Sequence, residues 1–195
     1  MQHRKIKKML NSVCVYCASS TEVEQSYYDS AKQLGEILAK NNIHCIYGGG
    51  SVGLMGNLAD SVLSNNGEVT GIIPRFMCER EWNHTQLTEL VLVDTMHERK
   101  ELMMRKADAV IAMPGGIGTF EELMEAITWK KLGLFDKPIV IVNVNNYFQH
   151  LISMLEKAVD ESFMHSDDPS LWKVVDSPIE VLDAIKFIET TSINA

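Results

Sequence analysis

Short apolar segments alternate with helical segments along most of the chain. Six segments have the length and the apolar, β-branched composition of strands: 12–18, 43–47, 68–73, 90–94, 109–113 and 138–143. Six others show helical spacing of their apolar residues: 22–41, 54–65, 96–107, 119–132, 147–160 and 179–190. Strands that are apolar nearly throughout need cover on both faces, and the intervening helices let them run parallel. The pattern predicts an α/β fold, a Rossmann-like doubly wound parallel sheet with helices on both faces.

Length and charge limit the domain organisation and the partners. With 195 residues, the chain has the size of a single domain. We expect a flexible basic tail at residues 1–11 and one domain at residues 12–195. A formal net charge of -8 argues against a nucleic acid partner, which requires a basic surface.

Hydropathy and cysteine usage indicate the compartment. No apolar run approaches the roughly 20 residues of a membrane-spanning helix, so we expect no membrane association and a cytoplasmic location. Four cysteines are too few for a disulfide scaffold in a chain of this size. Cys14 and Cys17 form a C-x-x-C pair, but three residues along a strand separate opposite faces. We therefore expect reduced thiols and no metal site.

The segment from Met113 to Glu122 joins a predicted strand to a predicted helix through a glycine-rich turn. Glycines let the backbone approach a ligand, and a helix N-terminus offers unpaired N–H donors and a favourable dipole. These features predict a phosphate site. Glu121 and Glu122 follow directly and would repel a polyanion, so a neutral or cationic part of the ligand should react beside them. The site therefore has the character of a catalytic site.

A second glycine turn, Gly48 to Gly53, fits the G-x-G-x-x-G pattern. A dinucleotide site needs an acid at the end of the next strand, whereas that strand ends at Arg75, which suits an NADP phosphate. A tight turn without a ligand remains the alternative. In an open α/β sheet the ligand lies beyond the carboxyl ends of the strands. This edge adds Ser20, Gly49 and Arg80 to the candidate substrate contacts.

Charged residues on two predicted helices need explanation. Glu121, Glu125 and Thr128 share one helical face, and stacked carboxylates destabilise a helix unless a cation or a reaction requires them. Arg99 and Lys100 lie near a helix start, where cations oppose the dipole, so we expect an acidic partner or an anionic ligand. A surface salt-bridge face is the alternative for the basic pair, and helix-dipole complementarity is the alternative for the acids.

Four motifs occur in order along the chain. They are Gly48-Gly49-Gly50-Ser51-Val52-Gly53-Leu54-Met55-Gly56, Met96-His97-Glu98-Arg99-Lys100, Pro114-Gly115-Gly116-Ile117-Gly118-Thr119-Phe120-Glu121-Glu122 and Ile127-Thr128-Trp129. Together they resemble the Lonely Guy family of cytokinin-activating phosphoribohydrolases, often mislabelled as lysine decarboxylases. The match runs from Val13 to about Phe163.

The resemblance implies a nucleotide-binding hydrolase that needs no cofactor. It would cleave the N-glycosidic bond of an N6-substituted adenosine 5′-monophosphate, giving free base and ribose 5-phosphate. The resemblance also implies a homodimer with its site near the interface, with Arg99 and Glu122 as catalytic residues. Spacing alone does not separate the roles of Glu121 and Glu122. The implied substrate contacts are Glu81, Lys100, Gly115, Gly116, Ile117, Gly118, Thr119, Phe120, Glu121 and Thr128, and the helical face described above adds Glu125.

Three positions depart from the family pattern, and rival functions exist. Ala18 replaces a glycine, Glu79 a common proline and Ile117 a usual aromatic residue. These changes leave open whether plain AMP or an N6-substituted AMP is preferred. A decarboxylase would need pyridoxal phosphate on a lysine, and neither Lys130 nor Lys131 has a suitable setting. A non-enzymatic nucleotide or molybdenum-cofactor carrier on the same fold is the main alternative.

Overall fold

The protein is described by a computed structural model that covers residues 10–79, 82–165 and 168–192. Within these residues the chain forms one sheet of seven strands. The strands are β1 Ser12–Tyr16, β2 His44–Tyr47, β3 Val69–Pro74, β4 Glu89–Val93, β5 Ala109–Ala112, β6 Ile139–Val142 and β7 Lys173–Val175.

Seven α-helices accompany the sheet in the same residues. They are α1 Gln25–Lys40, α2 Gly53–Ser64, α3 Arg75–Cys78, α4 Met96–Lys106, α5 Ile117–Lys131, α6 Gln149–Asp160 and α7 Val181–Ser192. Three short 3-10 helices cover Val144–Asn146, Asp168–Leu171 and Pro178–Glu180. None of the helices in the described ranges is both long and apolar enough to cross a membrane.

All strand pairs are parallel, in the order β4-β3-β2-β1-β5-β6-β7. The chain builds outward from β1 to β4 and then returns to place β5 on the other side of β1. Val13 accordingly aligns with Cys45 of β2 and with Ala109 of β5. This reversal of direction creates the crevice in which doubly wound folds bind ligands. The predicted fold class is confirmed.

Two apolar layers cover the sheet. Helices α1, α2 and α7 contribute Leu34, Leu58 and Ile185 to one layer. Helices α4, α5 and α6 contribute Met103, Leu123 and Ile152 to the other. Burying one such side chain fully stabilises the fold by about 1.5–3 kcal/mol, so each helix is held mainly by its packed face.

The C-x-x-C pair divides between the two layers, as its spacing predicts: Cys14 packs into the layer of α4 to α6 and Cys17 into the layer of α1, α2 and α7. Both thiols are free, as are those of Cys45 and Cys78. Burial raises the pKa of Cys14, Cys17 and Cys45 well above the ordinary thiol value. These buried thiols are therefore protonated and serve as small apolar residues.

Element boundaries differ from the sequence prediction in specific places. Strand β7 was not predicted, because its three residues are too short to show a period. Helix α5 begins at Ile117, two residues earlier than predicted, and α6 begins at Gln149, two residues later. The later start follows Asn145 and Asn146, whose positive φ angles interrupt any helix.

Most of the expected basic tail, residues 1–9, lies outside the described residues. Leu10 packs against the apolar layer of α1, α2 and α7. The Asn11 N–H donates to Asp108 Oδ2 at 3.1 Å, and the Asn11 carbonyl accepts from the His44 N–H at 2.8 Å. Leu10 and Asn11, the last two residues of the expected tail, therefore belong to the folded domain.

Candidate active site

Helix α5 begins at the carboxyl edge of β5 with an open N-terminus. Gly116 occupies the N-cap position, so no side chain caps this helix end. The first intrahelical bond runs from the Phe120 N–H to the Gly116 carbonyl at 3.1 Å. The preceding N–H groups of a helix have no intrahelical acceptor, so they remain for a ligand. Helix α4 differs, because Thr95 and Glu98 close its start with a capping box.

Arg99 on α4 is locked against the second glycine turn. Its Nε donates to the Ile72 carbonyl at 3.0 Å and its Nη2 donates to the Gly48 carbonyl at 3.1 Å. Its Nη1 lies 3.4 Å from Glu122 Oε1, and only 7% of the residue is exposed. A Cβ at Gly48 would lie 1.9 Å from Nη2. Gly48 therefore makes room for the arginine, which accounts for this glycine without a dinucleotide.

Glu122 on the second turn of α5 faces Arg99 from within the fold. The residue is 9% exposed. Burial raises the pKa of Glu122 to about 7, although the positive charge of Arg99 opposes the shift. Both protonation states are therefore accessible near neutral pH, which suits a group that takes part in a reaction.

Lys100 neutralises the repulsion between the stacked carboxylates of α5. Its Nζ pairs with Glu121 and lies 3.1 Å from Glu125 Oε2, so one cation links two acids on one helical face. Burial alone would lower the pKa of Lys100, but the hydrogen bonds to Glu121 and Glu125 raise it above the ordinary value. The acidic partner expected for the basic pair of α4 is therefore present for both members.

A cavity of about 510 Å³ lies between α5, the second glycine turn and the turn after β1. Arg99, Glu122 and Thr119 supply polar groups to its lining. The remainder is mainly apolar and backbone: Cys17, Ala18, Ser19, Gly50, Val52, Met55, Met77, Trp82, Gly116, Ile117 and Gly118. The three turns that sequence reasoning placed at one edge do converge there.

A smaller cavity of about 250 Å³ adjoins the first and shares Ala18 and Gly116 with it. Ser20 and Gly115 lie in its lining. The Tyr147 hydroxyl, also in this lining, donates to the Gly115 carbonyl at 2.6 Å. This bond directs the Gly115 carbonyl toward Tyr147.

The predicted site residues separate into groups. Arg99, Gly116, Ile117, Gly118, Thr119 and Glu122 line the larger cavity, and Ser20, Gly115 and Gly116 line the smaller one. Of the described residues, Gly49, Lys100, Phe120, Glu121, Glu125 and Thr128 line neither cavity. Arg80 and Glu81 lie outside the described residues.

Several of these outlying residues have clear structural surroundings. Gly49 has a φ of 77° and its carbonyl accepts from the His84 N–H at 2.9 Å. Phe120 packs against the layer of α4 to α6. Thr128 is exposed, and its hydroxyl donates to the Met124 carbonyl at 2.7 Å. Arg75, considered for an NADP phosphate, pairs instead with Asp94 at 3.0 Å.

Sequence reasoning gave no role to the apolar wall of the larger cavity, which is formed by Val52, Met55, Met77 and Trp82. Val52 and Trp82 lie in turns, Met55 lies on α2 and Met77 lies on the short α3, so no shared period connects them. A tryptophan in a segment that connects two predicted strands was the one signal available in the sequence.

The sequence has well-defined relatives. A cytokinin riboside 5′-monophosphate phosphoribohydrolase of Arabidopsis thaliana is 46% identical over 160 residues, which cover 82% of this chain and 75% of the relative. Another enzyme of this name from the same plant is 40% identical over 185 residues, which cover 95% of this chain and 85% of the relative. A probable enzyme of this name from Oryza sativa subsp. japonica is 40% identical over 181 residues, covering 93% and 72%.

A family model described as "Possible lysine decarboxylase" matches residues 55–185. The match includes both motif-bearing helices and the turn between β5 and α5.

The chain belongs to the Lonely Guy family.

Solved structures share this Lonely Guy fold at lower sequence identity. A molybdenum cofactor binding protein from Rippkaea orientalis has a TM-score of 0.70 at 20% identity, covering 93% of this chain and 99% of that chain. The Moco carrier protein of Chlamydomonas reinhardtii also has a TM-score of 0.70, at 16% identity, covering 94% and 99%. Identities this low establish the common fold alone.

The charged side chains that line the larger cavity of this Lonely Guy site pair with each other. In the described part of the chain, no group of three or more histidine, cysteine, aspartate or glutamate side chains could hold a metal ion. The charged groups of the cavity are instead an acid and a guanidinium in contact.

Proposed function

We propose that this protein hydrolyses the N-glycosidic bond of adenosine 5′-monophosphates, including N6-substituted ones, to free base and ribose 5-phosphate. The relatives named above carry the corresponding phosphoribohydrolase names. Its partner is a small molecule, the nucleoside 5′-monophosphate. The observation that carries the proposal is the buried contact between Arg99 and Glu122 in a cavity that also holds the N-terminus of α5.

The turn from Gly115 to Thr119 would hold the 5′-phosphate. The N-terminus of α5 is open there, and a Cβ at Gly116 or at Gly118 would meet no atom within 4 Å. Free space and unpaired N–H donors are what an oxyanion requires. The ribose would then extend from this turn toward Glu122, which lies within the same cavity.

Cleavage passes through a ribosyl centre with oxocarbenium character. The ionised carboxylate of Glu122 would stabilise that centre or orient the attacking water. Arg99 cannot serve as a proton donor, because a guanidinium stays charged. It would instead stabilise negative charge on the departing base and hold Glu122 in place. Water adds to C1′ as the C1′–N bond breaks, and the base nitrogen gains a proton.

The direct test is incubation of the purified protein with isopentenyladenosine monophosphate and with AMP. Chromatography would follow free base and ribose 5-phosphate. Release of base from either nucleotide supports the proposal, and the ratio of rates sets the preference. Intact nucleotide together with measurable binding would instead favour a carrier function. The molybdenum cofactor binding and carrier proteins named above share this fold.

The "Possible lysine decarboxylase" description fits the site less well. Such an enzyme on pyridoxal phosphate needs a lysine to form a Schiff base. No lysine is among the described residues that line either cavity. Lys100, the nearest candidate in the motif region, is engaged by Glu121 and Glu125.

We further propose a homodimer with its site near the interface. Lys100, Glu121 and Thr128 are implied substrate contacts, yet they lie outside the cavity of their own chain. A second copy could bring them to the substrate. Exposed Leu132 and Leu134, which follow the C-terminus of α5, support an apolar contact there. Four free thiols support a reducing, cytoplasmic location.

A further inference from the structure

The lining of the larger cavity combines charged and apolar side chains. Arg99 and Glu122 provide charge, whereas Met55, Met77 and Trp82 provide apolar surface. Large apolar side chains seldom stay exposed without a role when they gather in a concave site. The exposed fraction of Trp82 is 48%.

The backbone of Trp82 is held firmly although its side chain is half exposed. Its N–H donates to the Met77 carbonyl at 3.3 Å, and its carbonyl accepts from the Ser51 N–H at 3.1 Å. The next residues continue this attachment, since Asn83 forms a bridge with Gly50 and the His84 N–H donates to the Gly49 carbonyl. An aromatic ring on a fixed backbone binds a flat ligand with little loss of conformational freedom.

We propose that Trp82 is the residue against which the base of the nucleotide stacks, and that it favours a base bearing an apolar substituent. This inference rests on the proposed function for the identity of the nucleotide. With the phosphate at the α5 N-terminus and the ribose beside Glu122, the base reaches the remaining part of the cavity. Apart from the α5 turn, Arg99 and Glu122, the lining includes Val52, Met77 and Trp82.

Stacking on an indole and contact with methionine side chains suit a purine whose exocyclic group is a hydrocarbon. A plain amino group gains less from an apolar wall. Trp82 therefore makes the protein selective for N6-alkylated over unsubstituted adenine nucleotides. A charged residue at this position would lower that selectivity.

The test combines equilibrium binding with turnover. We would measure the affinity of isopentenyladenine, adenine and ribose 5-phosphate for the wild type, Trp82→Ala, Trp82→Phe and the control Trp172→Phe. Trp172 is buried in the layer of α4 to α6, away from the cavity. Calorimetry would report the affinities, and thermal unfolding would confirm that each variant is folded.

Trp82→Ala should weaken isopentenyladenine binding about tenfold and leave ribose 5-phosphate binding within about twofold. Trp82→Phe should retain most of the affinity, because its ring still stacks, and Trp172→Phe should match the wild type. In turnover assays the preference for isopentenyladenosine monophosphate over AMP should fall severalfold in Trp82→Ala.

Two results would overturn the inference. One is unchanged base affinity in Trp82→Ala. The other is an equal loss of base and ribose 5-phosphate affinity, which would indicate a general disturbance of the cavity. Failure of the proposed function has a different signature: base binding that depends on Trp82, with no hydrolysis of either nucleotide.

Discussion

Glu122 and Arg99 form the chemical centre of the site because each needs the other. A buried carboxylate is costly without a cation, and a buried guanidinium is costly without an acceptor. Their atoms lie 3.4 Å apart, and Arg99 has two backbone acceptors in addition. The pair is thus held in position before substrate arrives, which reduces the reorganisation needed during reaction.

Glu122→Gln should lower kcat by about 10²- to 10⁴-fold while nucleotide binding persists, since the amide keeps the shape but not the charge. Turnover by chromatography and affinity by calorimetry would be measured together. Glu101→Gln, on the exposed side of α4, is the matched control and should leave both unchanged. Full activity in Glu122→Gln with a loss confined to Glu121→Gln would reassign the catalytic carboxylate.

The pH dependence follows from the pKa of about 7 for Glu122. If the ionised form acts, kcat/KM should rise with pH up to about 7 and then level off. The rise of kcat/KM with pH should be absent from the residual activity of Glu122→Gln. A rate that instead falls as pH rises through 7 would show that the protonated acid acts.

The same group should affect stability with the opposite trend. Its folded pKa is raised above the unfolded value of about 4.3, so the folded state binds more protons between these values. The contribution of Glu122 to the wild-type free energy of unfolding is fully present below pH 4 and is lost as pH rises through 7. The free energy of unfolding of Glu122→Gln, relative to that of the wild type, should therefore increase by on the order of 3 kcal/mol across this range. Denaturant unfolding at pH 5 and pH 8 would measure the change, and a constant difference would contradict it.

At the scale of elements, two glycine turns perform different tasks. In the first turn, Gly48 admits the Arg99 guanidinium, whereas Gly116 and Gly118 of the second leave empty space at an open helix end. Both read as glycine-rich loops between a strand and a helix. Their difference lies in what occupies the space that a Cβ would take.

Gly48→Ala and Gly118→Ala should separate these tasks. The methyl group of Gly48→Ala would collide with Arg99, so kcat should fall roughly 100-fold and the melting temperature should drop. Gly118→Ala meets no atom, so the fold should keep its melting temperature while KM rises about tenfold as the methyl enters the anion site. Kinetics and thermal unfolding together would test this. A normal KM in Gly118→Ala would place the phosphate elsewhere.

At the scale of the whole molecule, the outward face of α5 is the feature that a single copy leaves unexplained. Thr128 and Leu132 are exposed one turn apart on that helix. Lys100 joins Glu121 and Glu125 beside them. A second copy docked on this face would bury the leucine and bring polar groups near the other cavity.

Light scattering should give a solution mass of twice the 21.9 kDa chain. Leu132→Asp should shift this mass toward the monomer, because a charge would be buried in an apolar contact. Met154→Asp is the control, since Met154 is equally exposed but lies on α6. A wild-type monomer, or a Leu132→Asp variant that remains dimeric, would remove α5 as the interface.

The sequence by itself determined the layered architecture. Apolar strands separated by helices could bury their surfaces only as a covered parallel sheet, and periodicity carries that information locally. It also located the turn at Gly115, the basic pair at Arg99 and Lys100 and the acids of α5, since each motif is contiguous. The short β7 and the exact helix starts were missed, because a few residues show no period.

The tertiary structure alone decided which of these groups meet. Spacing could not distinguish Glu121 from Glu122, but folding turns Glu122 inward to Arg99 and leaves Glu121 outside with Lys100. The role of Gly48 and the apolar wall around Trp82 also depend on contacts between distant segments. Such contacts are set by the packing of α4 and α5 on the sheet, and the pKa of Glu122 depends on the burial that this packing creates.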